Sequence, residues 1–290
     1  MSLPMGPNRY GKAGIRLAVV ERDGDAHTYT DLGVDIRLHG DFAAAHEEGD
    51  NAAVLPTDTM RGTCFALARD GIGSVTGYAR RVAERLLEAS AATTAAVVEV
   101  TRYPWARVLI DGVGHDHTFV PDAGGTPVVT VTATRGQGVT VVGGIRGARV
   151  AKTTGSAFSG FLRDEYTTLG ETRDRIMATT IDAAWGVTSA EVDVDRLAAD
   201  VPATVLAAFA GHDASESVQH TLHVMGNAVL DAHEEVTWIR FTLPNEHHIL
   251  SDLSPYGLDN PGRVFLVADR PYGVIEGAVA RPGVIPDVPW

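Results

Sequence analysis

The sequence predicts an α+β fold made of two tandem ββααββ units, each an antiparallel sheet with helices on one face. Three observations carry that prediction. Segments with period-two alternation come in pairs on either side of helical stretches, two long segments instead repeat their apolar residues at helical spacing, and the whole order occurs twice within 290 residues. The units are expected to span residues 1–140 and 141–290, with the join inside residues 136–146.

In the first unit, "GIRLAVVERDGDAHTYTDLGVDIRL" alternates Ile15, Leu17 and Val19, breaks at Asp23-Gly24-Asp25 and resumes, which describes a hairpin. A short helical stretch follows Pro56-Thr57-Asp58. "SVTGYARRVAERLLEA" then predicts a longer helix, with Ser74 as N-cap and Val75, Tyr78, Ala79, Val82 and Leu86 on one stripe. "AVVEVTRY" and "TPVVTVTA" return to strand alternation, and the stretch between them around "DGVGHDHTF" reads as irregular. The second unit repeats the order. Extended runs near "VTVVGG" and "RIMATTIDAAW" precede helices near "PATVLAAFA" and "SVQHTLHVMGNAVLDA", and strands "EVTWIRFT" and "VFLVADRPYGVIEGAV" follow. Ser74-Val75 aligns with Ser217-Val218, and Val218, Leu222, Met225 and Val229 again fall at helical spacing. Neither half alternates βαβ around a glycine-rich phosphate loop, which disfavours a dinucleotide fold.

Charge and composition narrow the function. With 24 basic and 37 acidic residues the net charge is −13, so the long-range field repels nucleic acid and anionic membranes. An anionic small molecule would have to be held by a few local cations. No run of apolar residues is long enough to span a bilayer. The N-terminus lacks an export pattern, the C-terminal "PDVPW" is no peroxisomal address, and a lone Cys64 forms no internal disulfide, so a cytoplasmic location is expected.

The densest chemistry lies in "LPNEHHIL", where Asn245, Glu246, His247 and His248 are consecutive. A metal is the first candidate, with His115, His117, His220 and His223 as further imidazoles. Adjacent strand residues point to opposite faces, however, and no Cys cluster or HExxH spacing accompanies them, so no metal site is expected. Nucleophilic catalysis is equally unsupported. There is no GxSxG elbow, and Cys64 sits in apolar "TCFALA" as a core residue.

Several separated segments together resemble one family. They are "YGKAGIRL", "DNAAVLPTDTMRGT", "AKTTGSAFSGFLRDEYTTLGETRDRIMAT", "SVQ", "LPNEHHILSDLSPYGL" and "ADRPYGVIEGAV", in that order over residues 8–281. The chain is similar to the urate oxidase (uricase) family of the tunnelling fold (T-fold), whose subunits carry two tandem ββααββ units. The resemblance implies oxidation of urate by O2 and water to 5-hydroxyisourate and hydrogen peroxide, with no cofactor. It implies a proton relay of Lys12, Thr57 and His247, and a substrate clamp of Arg175 and Gln219. Phe158 would stack on the purine, Asn245 would face the oxygen or water site, and backbone groups of Asp58 and Val218 would add hydrogen bonds. It further implies a homotetramer enclosing a β-barrel tunnel, with Lys12, Thr57 and His247 reaching each site across a subunit boundary from Arg175 and Gln219.

These residue types suit that chemistry. A planar guanidinium matches two acceptors of a urate anion at once, and a Gln amide reads an edge bearing both a carbonyl and an N–H. Strand alternation puts Asn245 and His247 on one face and Glu246 and His248 on the other. Taken without the family, Lys12 reads as a surface charge, Thr57 as a helix N-cap and Arg175 as half of an ion pair with Asp174. Two other functions compete: a zinc-dependent tunnelling-fold hydrolase of pterins or purines using His115, His117 and His247, and a catalytically silent purine-binding protein.

Overall fold

The computed structural model describes residue 3, residues 5–22 and residues 24–286, with backbone alone at position 269. Asp23 of the expected first turn and the last four residues of "PDVPW" lie outside the described residues. The chain divides into two compact units, Met1–Gly144 with Val187–Ala198 and Ile145–Gly186 with Ala199–Trp290.

Unit 1 opens with the expected hairpin, β1 (Arg9–Glu21) and β2 (Thr28–Gly40), and continues through α1 (Ala43–Glu47), α2 (Thr57–Ala68), α3 (Val75–Ala89) and β3 (Thr93–Tyr103). β4 (Trp105–Ile110), β5 (Val113–Pro121) and β6 (Thr126–Thr134) complete it, and β7 (Gly138–Lys152) runs across the division into unit 2. The sheet order is β1-β2-β3-β6-β7. Alternation decides which side is buried: Ile15 and Leu17 of β1, Leu32, Val34, Ile36 and Leu38 of β2, and Ala96, Val98 and Val100 of β3 enter one core. The stripe read on α3 supplies the other wall, with Val75, Tyr78, Ala79, Val82 and Leu86 all buried. Ser74 is the N-cap, accepting from Gly77 N at 2.9 Å.

The stretch read as irregular is instead a second, two-stranded sheet of β4 and β5. Asp111 and Gly112 both take positive φ, 51° and 81°, between paired Ile110 and Val113. That is the backbone of a two-residue hairpin turn, and Asp-Gly is its ordinary sequence. Arg107 anchors the hairpin by donating to the carbonyls of His27, His115 and Asp116. The short α1 was also not anticipated.

The chain continues with β8 (Met177–Val187), α4 (Val194–Gly211), α5 (Val218–Ala232), β9 (Val236–Leu250) and β10 (Phe265–Ala280), with sheet order β7-β8-β9-β10. From β8 onward this falls in unit 2 except Val187–Ala198, which includes the start of α4 and belongs to unit 1. The ββααββ order therefore occurs twice, with α1 and the β4–β5 hairpin as additions to the first copy. α4 begins eight residues before Pro202, the first residue of the segment expected to be helical. Proline is disfavoured inside a helix, so it marks a false beginning; the cap at this end is Asp193, whose Oδ1 accepts from Arg196 N at 2.9 Å. Ser217 caps α5 as Ser74 caps α3, and the expected stripe of Val218, Leu222, Met225 and Val229 is buried. β9 does not stop at "EVTWIRFT" but carries the whole of "LPNEHHIL" as strand. No described helix is long and apolar enough to cross a membrane.

Candidate active site

In unit 2, a cavity of about 540 Å³ is bordered by Arg175, Asn245 and His247, together with Thr172, Asp174 and Phe265 among others. The β9–β10 ladder explains how one strand delivers two of these groups. Asn245 pairs with Gly273 and His247 with Ala268, so the residues 269–272 stand opposite Glu246 alone. Such a bulge interrupts the ladder beside the two side chains and leaves room at their face. Glu246 takes the other face, accepting from Arg149 at 2.6 Å and from Thr180 Oγ1 at 2.7 Å. The hydrogen bond from Arg149 is the main reason its carboxyl is held below the usual range. His248 departs from strict alternation: it also borders the cavity, and its Nδ1 lies 3.1 Å from the Glu246 carbonyl.

Arg175 is not half of an ion pair with Asp174. Asp174 accepts instead from Thr154 Oγ1 at 2.9 Å and Gly155 N at 2.8 Å, and these bonds lower the pKa of its carboxyl from the ordinary value. The Arg175 guanidinium is half-buried beside the Phe158 ring, 5.2 Å from its centroid, and its Nε is buried with no hydrogen-bond partner among the described residues. Burial lowers its pKa from the ordinary arginine value. A cation kept partly desolvated and incompletely paired is costly in the free protein and is satisfied by an anion.

Backbone bonds tie the other clamp candidates to Arg175. The Arg175 amide donates to the Ser156 carbonyl at 2.8 Å, and Phe158 exchanges two bonds with Thr172 at 2.8 and 3.0 Å. On its other side the same segment bridges to Ser215: Ala157 N donates to the Ser215 carbonyl at 2.7 Å, and Ser215 N to the Gly155 carbonyl at 3.1 Å. Two residues beyond Ser215 stands the Ser217 cap, and then Val218, 3% exposed, and the exposed Gln219. One knot of irregular chain thus holds the segments of Phe158, Arg175, Val218 and Gln219.

Lys12, Thr57 and Asp58 lie in unit 1. Lys12 is half-buried on β1 opposite Ile36, just before a bulge where Gly14, at φ +68°, donates its amide to Asp35 at 2.7 Å. Thr57 is the first residue of α2 rather than its cap; Pro56 holds the cap position and makes no side-chain bond. The Thr57 hydroxyl has no hydrogen-bond partner among the described residues. Asp58 is exposed and pairs with Arg61 at 3.0 Å. The family resemblance puts His247 across a subunit boundary from Arg175, whereas both border one cavity of a single chain. The reason is the ladder: His247 is two positions from Asn245 and shares its face.

Sequence reasoning missed Phe161, whose ring stacks on Phe158 at 4.9 Å and 14°, and the buried pair Ser215 and Thr221. Phe161 was visible only as an aromatic three residues from Phe158. The hydroxyl pair had no signal, because Ser and Thr are common near helix starts. Cys64 is fully buried, and burial pushes its thiol up to about 11, the opposite of an activated nucleophile. Among the described residues, no three His, Cys, Asp or Glu side chains cluster to hold a metal ion.

Comparison with known proteins gives one answer. The family profile described as Uricase matches residues 8–132 and 141–276. The uricase of Arthrobacter globiformis is 42% identical over 98% of this chain and 92% of its own length, and that of Danio rerio is 34% identical over 94% and 93%. The crystal structure of the Arthrobacter globiformis uricase superposes with a TM-score of 0.93 at 41% identity, covering 100% of this chain and 99% of that one. A urate oxidase structure from Bacillus sp. TB-90, 18% identical with a TM-score of 0.81 over 94% of this chain and all of that one, shares the fold.

Proposed function

The chain belongs to the uricase family and is an oxidoreductase acting on urate, and from that premise we propose how its residues perform the reaction. Arg175 fixes one edge of the urate anion through paired charged hydrogen bonds, and Gln219 reads an edge carrying both a carbonyl and an N–H. Phe158 stacks on the ring, and the backbone groups of Asp58 and Val218, both at helix starts where amides lack intrahelical partners, complete the contacts. The observation that supports this reading most is the half-buried Arg175 with an unpartnered Nε, bordering a cavity shared with Asn245 and His247.

Lys12, Thr57 and His247 move the protons. Removal of a further proton from urate raises its electron density, and the dianion gives electrons to O2, for which Asn245 offers an amide above the ring. A peroxide adduct at the ring carbon leaves as hydrogen peroxide, and water, deprotonated through the relay, adds there to give 5-hydroxyisourate. Urate, O2 and water thus become 5-hydroxyisourate and hydrogen peroxide, with urate as the electron source and no cofactor invoked. Lys12, Thr57 and Asp58 reach the cavity from a neighbouring subunit of a homotetramer, while His247 comes from the same chain as Arg175. The two T-fold units meet near residue 140, and the buried, unpaired Cys64 agrees with a reducing cytoplasm.

Purified protein, freed of flavin and transition ions, is incubated with urate in aerated buffer while urate absorbance and peroxide are followed. One peroxide released per urate consumed is the expected result. Urate left unchanged, or consumed only when a metal is added, would overturn the reading.

A further inference from the structure

Behind the clamp lies a set of buried groups that the reaction does not use. Ser215 and Thr221 are each 1% exposed, and their hydroxyl oxygens are 2.7 Å apart. Ser215 donates its hydroxyl to the Ser217 carbonyl at 2.9 Å. A hydroxyl has one proton to donate, so between Ser215 and Thr221 the donor must be Thr221. Thr221 can then only accept from His212 Nδ1, 3.1 Å away, which assigns the proton on that ring to Nδ1. A directed chain results, from His212 to Thr221 to Ser215 to the Ser217 carbonyl. That carbonyl also receives the Thr221 amide at 3.1 Å, so both ends of the loop close on the cap of α5.

The position of this chain gives it a consequence. Ser217 immediately precedes Val218 and Gln219, and the Ser215 backbone is bridged to the segment that carries Phe158 and, through Ser156, Arg175. We infer that Thr221, with His212 behind it, is a positioning residue for the substrate: the buried hydroxyl chain sets the start of α5 against the Phe158 and Arg175 segments. Removing a link leaves buried polar atoms unpaired, and the irregular chain around Ser215 can relieve that only by shifting. The inference rests on the assignment of Val218 and Gln219 to the urate clamp.

Thr221→Val keeps the side-chain shape and deletes the link. The expected result is a rise of about tenfold in KM for urate and in Kd for xanthine, a purine without the 8-oxo group, the scale of unpairing a buried hydrogen-bonding group. The value of kcat should stay within about twofold, because the proton relay is untouched. Thr221→Ser restores the hydroxyl and should restore KM. His212→Ala, at the half-buried end of the chain, should give a smaller rise of the same kind and decides the matter if Thr221→Val does not fold. Gln219→Ala separates the two levels: an unchanged KM in that variant overturns the clamp assignment. A raised KM in Gln219→Ala with unchanged KM in both Thr221→Val and His212→Ala overturns the positioning role alone. Failure of Thr221→Ser to rescue, or a fall in kcat at constant KM, also overturns it.

Discussion

The starts of α2 and α5 are two solutions to one problem. Each helix begins after extended chain, and each carries residues assigned to the same reaction. α5 is finished from within: Ser217 accepts from His220 N at 3.1 Å, Val218 is buried, and a chain of hydroxyls closes behind the cap. α2 has Pro56 in the cap position with no side-chain bond, and a Thr57 hydroxyl without a partner among the described residues. Its amides at Thr57 and Asp58 precede the first intrahelical acceptor bonds, which go from Thr59 and Met60 to the Pro56 carbonyl. The difference fits the roles proposed for the two starts: a completed cap fixes the edge at Val218 and Gln219, whereas the start of α2 offers the Asp58 backbone beside a Thr57 hydroxyl that no described residue engages.

The largest effect should come from the clamp on the α5 side. Arg175→Ala removes the paired charged bonds and should weaken xanthine binding by about 3 kcal/mol, roughly a hundredfold. Thermal stability should be unchanged or higher, because a half-buried, incompletely paired cation is lost. Wild-type affinity by titration calorimetry would remove Arg175 from the clamp. Thr57→Val tests the uncommitted hydroxyl: kcat should fall roughly a hundredfold, with xanthine affinity and the unfolding midpoint hardly moved. Equal losses in turnover and affinity would contradict the contrast between the two helices.

Smaller effects sharpen the comparison. Ser217→Ala should cost about 1 kcal/mol in denaturant unfolding, while Pro56→Ala, where no side-chain cap bond exists, should cost less. The reverse order would show α2 to be the better-fixed start. Glu246→Gln gives the smallest change, under about 1 kcal/mol for an ion pair whose arginine is largely exposed. Its pH dependence has a definite sign. The Glu246 carboxyl is held below its ordinary value of 4.5, chiefly by Arg149, so the folded chain binds this proton less readily than the unfolded one. Its contribution is complete above about 4.5 and is lost as pH falls through the lower folded value. Stability measured below pH 5 should therefore decline less steeply in Glu246→Gln than in the wild type.

The contrast also marks what was legible in the residues. The α3 and α5 stripes, their serine caps and the β1–β2 hairpin depend on spacing along the chain, and all were readable. Asp111-Gly112 carried an equally local hairpin signal, but in "VGHDHTF" the face of Val113, His115, His117 and Phe119 mixes apolar and polar residues and hid it. Pro202 misled for a physical reason, since a helix can absorb a proline that propensity places at its start. At the candidate site, alternation correctly separated Asn245 and His247 from Glu246. It could not show that Asp174 spends its oxygens on Thr154 and Gly155 and leaves its neighbour Arg175 without it.

By itself the sequence determined the two ββααββ halves, the helix caps, the acidic surface and, through its ordered segments, the family. Those features follow from periodicity and from residue types a few positions apart. Only the tertiary structure decided that Arg175 remains incompletely paired, that four residues of β10 bulge opposite Glu246, and that His212, Thr221 and Ser215 form a directed chain beneath α5. Each depends on which donor meets which acceptor when distant segments pack, and burial, not spacing, sets the cost of leaving one of them unmet.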